Sequence, residues 1–220
     1  FNKGAVFCNL FLADELNRTS SRTQAALLEA MEERQVTVEG NTFKLEKPFS
    51  VIATQNPTGA SGTQLLPDSQ IDRFTVRLSM GYPEPSEEIK ILERTEKGNP
   101  IRNISEPALT VNDIQILQQQ VKDVQVSDKI RQYIIALVTE TRKSAYVTLG
   151  ISPRGSIALY KGAKACAFVY ERAFVIPEDI KKIAEAVLSH RIILSQQGKN
   201  TFGTAEKYVQ NLIDTTVIPV

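Results

Sequence analysis

The sequence predicts an α/β parallel-sheet core followed by an all-α region. Three observations predict it. Ala5 to Ala13 is almost continuously apolar and stops at the charged pair Asp14-Glu15, the pattern of a strand buried on both faces. Phe49 to Thr54 repeats that pattern and stops at Gln55-Asn56-Pro57. After about residue 107 strand signals nearly vanish and apolar residues recur at helical spacing.

Each element has a local reason. Thr19 and Ser20 can cap a helix over Thr23 to Arg34, where Ala26, Leu27, Ala30 and Met31 share one face. Val36-Thr37-Val38 and Thr42-Phe43-Lys44-Leu45 flank Glu39-Gly40-Asn41, a hairpin signal. Thr58 to Thr63 is rich in Gly and Ser and reads as a loop. Asp68 to Asp72 reads as a short helix and Phe74 to Leu78 as a third strand. Ser86, with Glu87 and Glu88 in the first turn, opens a helix to about Lys97. Gly98 to Pro107 breaks the pattern. Helical periods then cover Val111–Val124, Ser127–Arg142, Pro153–Tyr170, Pro177–Ser189 and Ala205–Asp214. The chain divides into residues 1–100, an α/β part, and residues 101–220, an all-α part.

Composition narrows the functional classes. With 220 residues, 42% of them hydrophobic, the chain can bury one good core or two smaller ones. A net charge of +1 leaves no electrostatic footprint for nucleic acid or an anionic membrane, so neither is expected as a partner. Trp is absent and aromatics are 7%, which argues against a base-stacking platform. Cys8 and Cys166 sit far apart in apolar surroundings and read as two buried thiols. No apolar run approaches the roughly 18 residues of a membrane span. Nothing resembles a signal peptide, so a cytoplasmic location is the default.

The residues that carry chemistry sit where buried strands end. Ligands in open α/β sheets bind outside the carboxyl ends of the strands. There Asp14 would hold magnesium through its water shell and Glu15 would orient the attacking water; the alternative is a turn into a helix. Asn56 can hydrogen-bond a γ-phosphate and the lytic water, or simply start an Asn-Pro turn. Arg73, just ahead of the third strand, could reach a neighbouring subunit's phosphate, or pair with Asp68 or Asp72. Arg154 lies in the first turn of a helix, at the unfavourable end of the dipole. A phosphate would resolve that conflict; a solvated Arg lying over apolar surface is the alternative. His190 reads as a helix-end surface residue, Lys161 and Lys164 as a solvated helix face, and Glu32-Glu33-Arg34 as solvent-exposed.

The string of motifs resembles an AAA+ ATPase, specifically the MoxR group. The likeness runs through Phe11-Leu-Ala-Asp-Glu-Leu-Asn-Arg18, the helix from Thr23 to Arg34 with Gln35-Val36, and Val51-Ile-Ala-Thr-Gln-Asn-Pro57. Leu66-Pro-Asp-Ser-Gln-Ile-Asp-Arg-Phe74 and Ser152-Pro-Arg-Gly155 complete it. The resemblance implies a P-loop NTPase core with a helical lid. It implies that Asp14-Glu15 is the Walker B pair, Asn56 sensor 1, Arg73 the arginine finger and Arg154 sensor 2. Glu15, Asn56, Arg73 and Arg154 would be catalytic; Asp14, Asn56 and Arg154 would bind the cofactors ATP and Mg2+, with Asp14 on the metal. The hairpin around Gly40 resembles the pre-sensor-1 hairpin. A ring, usually a hexamer, that remodels or assembles protein partners is implied, sometimes beside von Willebrand factor A domain proteins.

One departure stands beside the match. The family's Gly-x-x-x-x-Gly-Lys-[Ser/Thr] motif does not occur in these 220 residues. No backbone nest or lysine of this stretch is then expected to cradle the β- and γ-phosphates. The sequence reads as the carboxyl-side portion of a longer protein, inactive as an ATPase by itself and marginally stable through exposed core surface. The competing readings are a non-catalytic AAA+-shaped interaction module and a ring ATPase of the magnesium-chelatase or McrB-like kind.

Overall fold

The computed structural model describes residues 2–55, 66–97 and 105–218. The α/β part opens with β1 (Leu10–Ala13), followed by α1 (Ser21–Glu33). A hairpin of β2 (Gln35–Val38) and β3 (Asn41–Lys44) follows, then β4 (Ser50–Ala53). β1 and β4 pair in parallel, Leu10 opposite Ser50 and Ala13 opposite Ala53. The Ser20 hydroxyl caps α1 by accepting from the Thr23 N–H at 3.2 Å. Glu39 and Gly40 form the hairpin turn with φ of 49° and 79°, the left-handed pair that matches the twist of two-residue hairpins.

α1 covers one face of the parallel pair. Leu27 clusters with Leu16, Ala13 and Ala53 at the carboxyl ends of the strands. Ala30 clusters with Leu45 and Phe49, just ahead of β4. The helix therefore runs back along the sheet, with its last turn near the start of β4.

Two strand expectations are corrected. The first strand is shorter than Ala5 to Ala13 and is not buried on both faces: Leu10, Leu12 and Ile52 are 62%, 63% and 52% exposed. Among the described residues nothing covers the sheet face opposite α1. Phe74 to Leu78 forms no strand. Its backbone is engaged elsewhere, because the carbonyls of Phe74 and Thr75 accept from Arg191 and the Arg77 N–H donates to the Ala186 carbonyl at 2.8 Å. These bonds hold the segment against the helical region rather than beside β1 or β4, so it joins no ladder. The short helix α2 (Asp68–Ile71) stands where the sequence places it, and α3 (Pro85–Lys97) opens before Ser86, which lies inside the first turn rather than capping it. The loop expected over Thr58 to Thr63 lies outside the described residues.

The second part is helical but not all-α, since it also holds a short strand pair; it begins with α4 (Val111–Asp123) and α5 (Asp128–Lys143). It continues with β5 (Val147–Leu149), α6 (Pro153–Val169), α7 (Pro177–Leu188), β6 (Ile193–Leu194), α8 (Gln196–Phe202) and α9 (Ala205–Thr215). Thr110 and Asp113 form a reciprocal capping box, and Ser127, Ser152 and Thr204 cap the helices after them. Tyr133, Leu137, Leu159, Ala163, Ile180, Ala184, Val187 and Val209 build one continuous core.

The antiparallel β5–β6 pair and α8 carry no strong sequence signal: β6 is two residues and α8 is rich in Gln, Asn and Gly. Both cysteines are free and half-buried rather than buried. Burial raises the pKa of the Cys166 thiol, and the Asp179 carboxylate beside it adds to the shift. No helix among the described residues is long and apolar enough to cross a membrane.

Candidate functional site

The parallel register sets Thr54, which follows β4, beside Asp14, which follows β1. The Thr54 hydroxyl donates to Asp14 Oδ1 at 2.5 Å and accepts from the Glu15 N–H at 2.8 Å. The Thr54 N–H donates to the Ala13 carbonyl at 3.0 Å, and its carbonyl accepts from the Leu16 N–H at 3.0 Å. Thr54 thus fixes the backbone and one carboxylate of the acidic pair at once. Glu15 is held in the left-handed region, φ 49° and ψ 46°, and turns the chain into the helical turn Leu16–Arg18. Its carboxylate pairs with Arg18 at 3.2 Å.

Adjacent carboxylates at an open strand end suit a hard cation that keeps several waters and takes its other ligands from phosphate. Among the described residues no group of three or more His, Cys, Asp or Glu could hold a metal alone. Asn56 lies outside the described residues. Thr54 is the site residue that the motif reading passed over. The hydroxyl at the strand end was legible in the sequence, but its register with Asp14 was not.

A second cluster lies at the other end of α1. Arg73 Nη1 pairs with Glu32 Oε2, and Arg154 Nη2 pairs with Glu32 Oε1. Neither Asp68 nor Asp72 takes Arg73. Glu32 is exposed, as its sequence neighbourhood suggests, yet its carboxylate is fully engaged by two guanidiniums. Side-chain exposures of 27% for Arg73 and 50% for Arg154 leave both within reach of an incoming group. Eleven helical positions separate Glu32 from Ser21, about 16 Å at ~1.5 Å per residue. The arginine pair and the acidic pair thus occupy opposite ends of α1.

A third cluster joins the two parts of the chain, and sequence reasoning missed it. Arg191 is a buried guanidinium, with a side chain 2% exposed. All five of its N–H donors are used. Nε donates to Asp72 Oδ1 at 3.0 Å. Nη1 donates to the carbonyls of Thr75, at 3.2 Å, and Val187. Nη2 donates to the carbonyls of Asp72, at 3.0 Å, and Phe74, at 2.5 Å. The Ser152 hydroxyl lies 3.0 and 2.8 Å from the two Asp72 carboxylate oxygens. Burial lowers the Arg191 pKa, and the Asp72 carboxylate opposes that shift.

His190 belongs to the same joint and is half-buried rather than free on the surface. Its Nε2 lies 3.0 Å from the Phe74 carbonyl, so Nε2 carries the proton and donates. Burial, and then the neighbouring Arg191 charge, push its pKa down to about 4. Arg77 reaches across to Glu206 of α9 at 2.5 Å. Lys164 also departs from a plain solvated face, donating to the Lys122 carbonyl at 2.5 Å.

Comparison with known proteins bears on the family and the fold. Residues 1–76 match the family model "ATPase family associated with various cellular activities (AAA)", and residues 139–212 match the AAA lid domain. The chain is 46% identical over 220 residues to the uncharacterized protein YeaC of Bacillus subtilis, covering all of this chain and 68% of that protein. It is 34% identical over 225 residues to "Chaperone MoxR1" of Mycobacterium tuberculosis, covering 98% of this chain and 59% of that protein. A crystal structure from Cytophaga hutchinsonii, of a protein provisionally described as an ATPase, superposes with a TM-score of 0.89 at 34% identity. It covers all of this chain and 69% of its own. A parallel sheet ending in Asp14-Glu15, a helical lid joined to the same part through residues 72–77 and these matches along both parts place the chain in the MoxR family of AAA+ ATPases.

Proposed function

We propose that this chain carries the hydrolytic and intersubunit groups of a ring-forming ATPase that remodels or assembles protein partners. The observation that carries the reading is the pairing of Arg73 and Arg154 on one carboxylate at the end of α1 opposite Asp14-Glu15. A single chain cannot easily bring both ends of a 13-residue helix to one γ-phosphate. Two subunits in a head-to-tail ring can, because one presents its acidic pair where its neighbour presents its arginines.

In this reading Asp14 holds magnesium through water, while Glu15 orients and activates the attacking water from its fixed left-handed position. Asn56 follows β4 by sequence and would sense the γ-phosphate. Magnesium-bound ATP supplies the scissile phosphoanhydride and a cation that spreads its charge. Arg73 and Arg154 would leave Glu32 and stabilise the negative charge that develops on the neighbour's phosphate. The 220 residues hold no Gly-x-x-x-x-Gly-Lys-[Ser/Thr] motif, so the β- and γ-phosphates need donors from outside this stretch. A hexamer, and clients that include von Willebrand factor A domain proteins, complete the proposal. The printed name of the Mycobacterium relative, a chaperone, supports a protein client.

The test is complementation in the full-length protein. Glu15→Gln and Arg73→Ala should each abolish ATP turnover. Mixed in equal amounts they should regain about a quarter of it, since one interface in four joins an intact Glu15 to an intact Arg73. Mixed rings that stay inactive would refute the trans role.

A further inference from the structure

The two arginines are held by more than Glu32. Asp72 is the residue before Arg73, and Ser152 is the cap of the helix that carries Arg154 two residues on. The Asp72 carboxylate accepts from Ser152 and from Arg191, and Arg191 binds three carbonyls of residues 72 to 75. The same guanidinium also holds the Val187 carbonyl of α7. A planar fork with every donor engaged has one orientation, so it transmits position rather than merely charge.

We propose that Asp72, Ser152 and Arg191 form a rigid joint that makes Arg73 and Arg154 a single two-pronged unit, so that the lid and the core present both guanidiniums to the neighbouring subunit together. The inference rests on the intersubunit role proposed above for those arginines. Asp72, Ser152 and Arg191 are positioning residues and touch no nucleotide. Gly155 shows how tight the joint is: a Cβ there would lie 2.5 Å from Ile151 Cγ2 and 3.0 Å from Arg191 Cδ. The first turn of α6 thus lies directly against the buried guanidinium stem.

Loosening the joint should misplace both prongs while leaving Asp14 and Glu15 on the same subunit intact. Arg191→Lys keeps the charge but offers three donors in place of five. In the full-length ring it should lower turnover by about tenfold to a hundredfold with little change in nucleotide affinity, the signature of a mispositioned transition-state group. Mixed with Glu15→Gln subunits, which bring intact joints, it should regain activity. Mixed with Arg73→Ala subunits it should not. Asp72→Asn, which keeps the side-chain shape, should give the same pattern and serves where Arg191→Lys does not fold.

A merely destabilised subunit would complement neither partner, and that outcome overturns the proposal. Wild-type turnover by both variants overturns it as well. If Arg73→Ala with Glu15→Gln also stays inactive, the intersubunit reading itself has failed and the joint's role falls with it. If that pair recovers while the joint variants do not, only the joint's role is lost.

Discussion

Acidification should undock the lid through His190. In the folded chain its Nε2–H donates to the Phe74 carbonyl, and Nδ1 is buried without a partner. Protonation would place a second N–H there with no acceptor, beside the Arg191 charge. The folded value of about 4 lies below the ordinary 6.5, so the unfolded chain binds the proton more readily between those limits. Stability is full above pH 6.5, falls as pH drops toward 4, and changes no further below that through this group.

At about pH 5 the linkage amounts to on the order of 2 kcal/mol relative to about pH 7.5. Carboxylates titrate over the same range, so the comparison needs a variant that lacks only the imidazole. His190→Gln keeps a side-chain N–H donor and does not titrate. Urea unfolding of both proteins should give stability differences that change by about 2 kcal/mol between about pH 7.5 and pH 5, with wild type the one that weakens. Parallel curves across that range would refute the account of His190 as a buried neutral imidazole.

Two further outcomes test the lid's packing. Leu159→Ala removes a fully buried side chain from the centre of α6 and should cost about 2–5 kcal/mol in denaturant unfolding, because the surrounding helices cannot close the cavity. Gly198→Ala puts a Cβ 2.1 Å from the Tyr146 carbonyl oxygen and should cost about 1–3 kcal/mol, by pushing α8 off the β5 segment. An Ala at 198 with unchanged stability would show that the approach of Tyr146 relaxes freely.

The helices were legible because their signals are local. Ser20, Ser127, Ser152 and Thr204 all cap helices that the apolar spacing had already outlined. Phe74 to Leu78 was misread for the opposite reason. An apolar, branched run has the composition of a strand, but a strand exists only where a neighbour offers a ladder, and here bonds to Arg191 and Ala186 hold the segment against the helices instead. The joint was invisible for the same physical reason. Asp72 and Arg191 are 119 residues apart, and nothing in either neighbourhood announces the other. A motif names residue types; which of those residues meet is decided by tertiary packing.

Arg154 shows how a local conflict becomes a functional statement. A guanidinium in the first turn of α6 sits against the positive end of the helix dipole, which an anion must offset. The anion present is Glu32, and it is shared with Arg73. Two guanidiniums against one carboxylate leave an excess of one positive charge in the cluster. A phosphate that carries more than one negative charge and several acceptor oxygens can therefore displace Glu32 without first overcoming a neutralised site. If Arg73 and Arg154 meet a neighbour's phosphate as proposed, Glu32 would hold the two prongs together before it arrives, and its side chain, 29% exposed, would have room to swing away. In the proposed intersubunit role the single carboxylate would reconcile two requirements that otherwise compete: a folded chain without an uncompensated pair of like charges, and a pair of arginines that still attracts an anion.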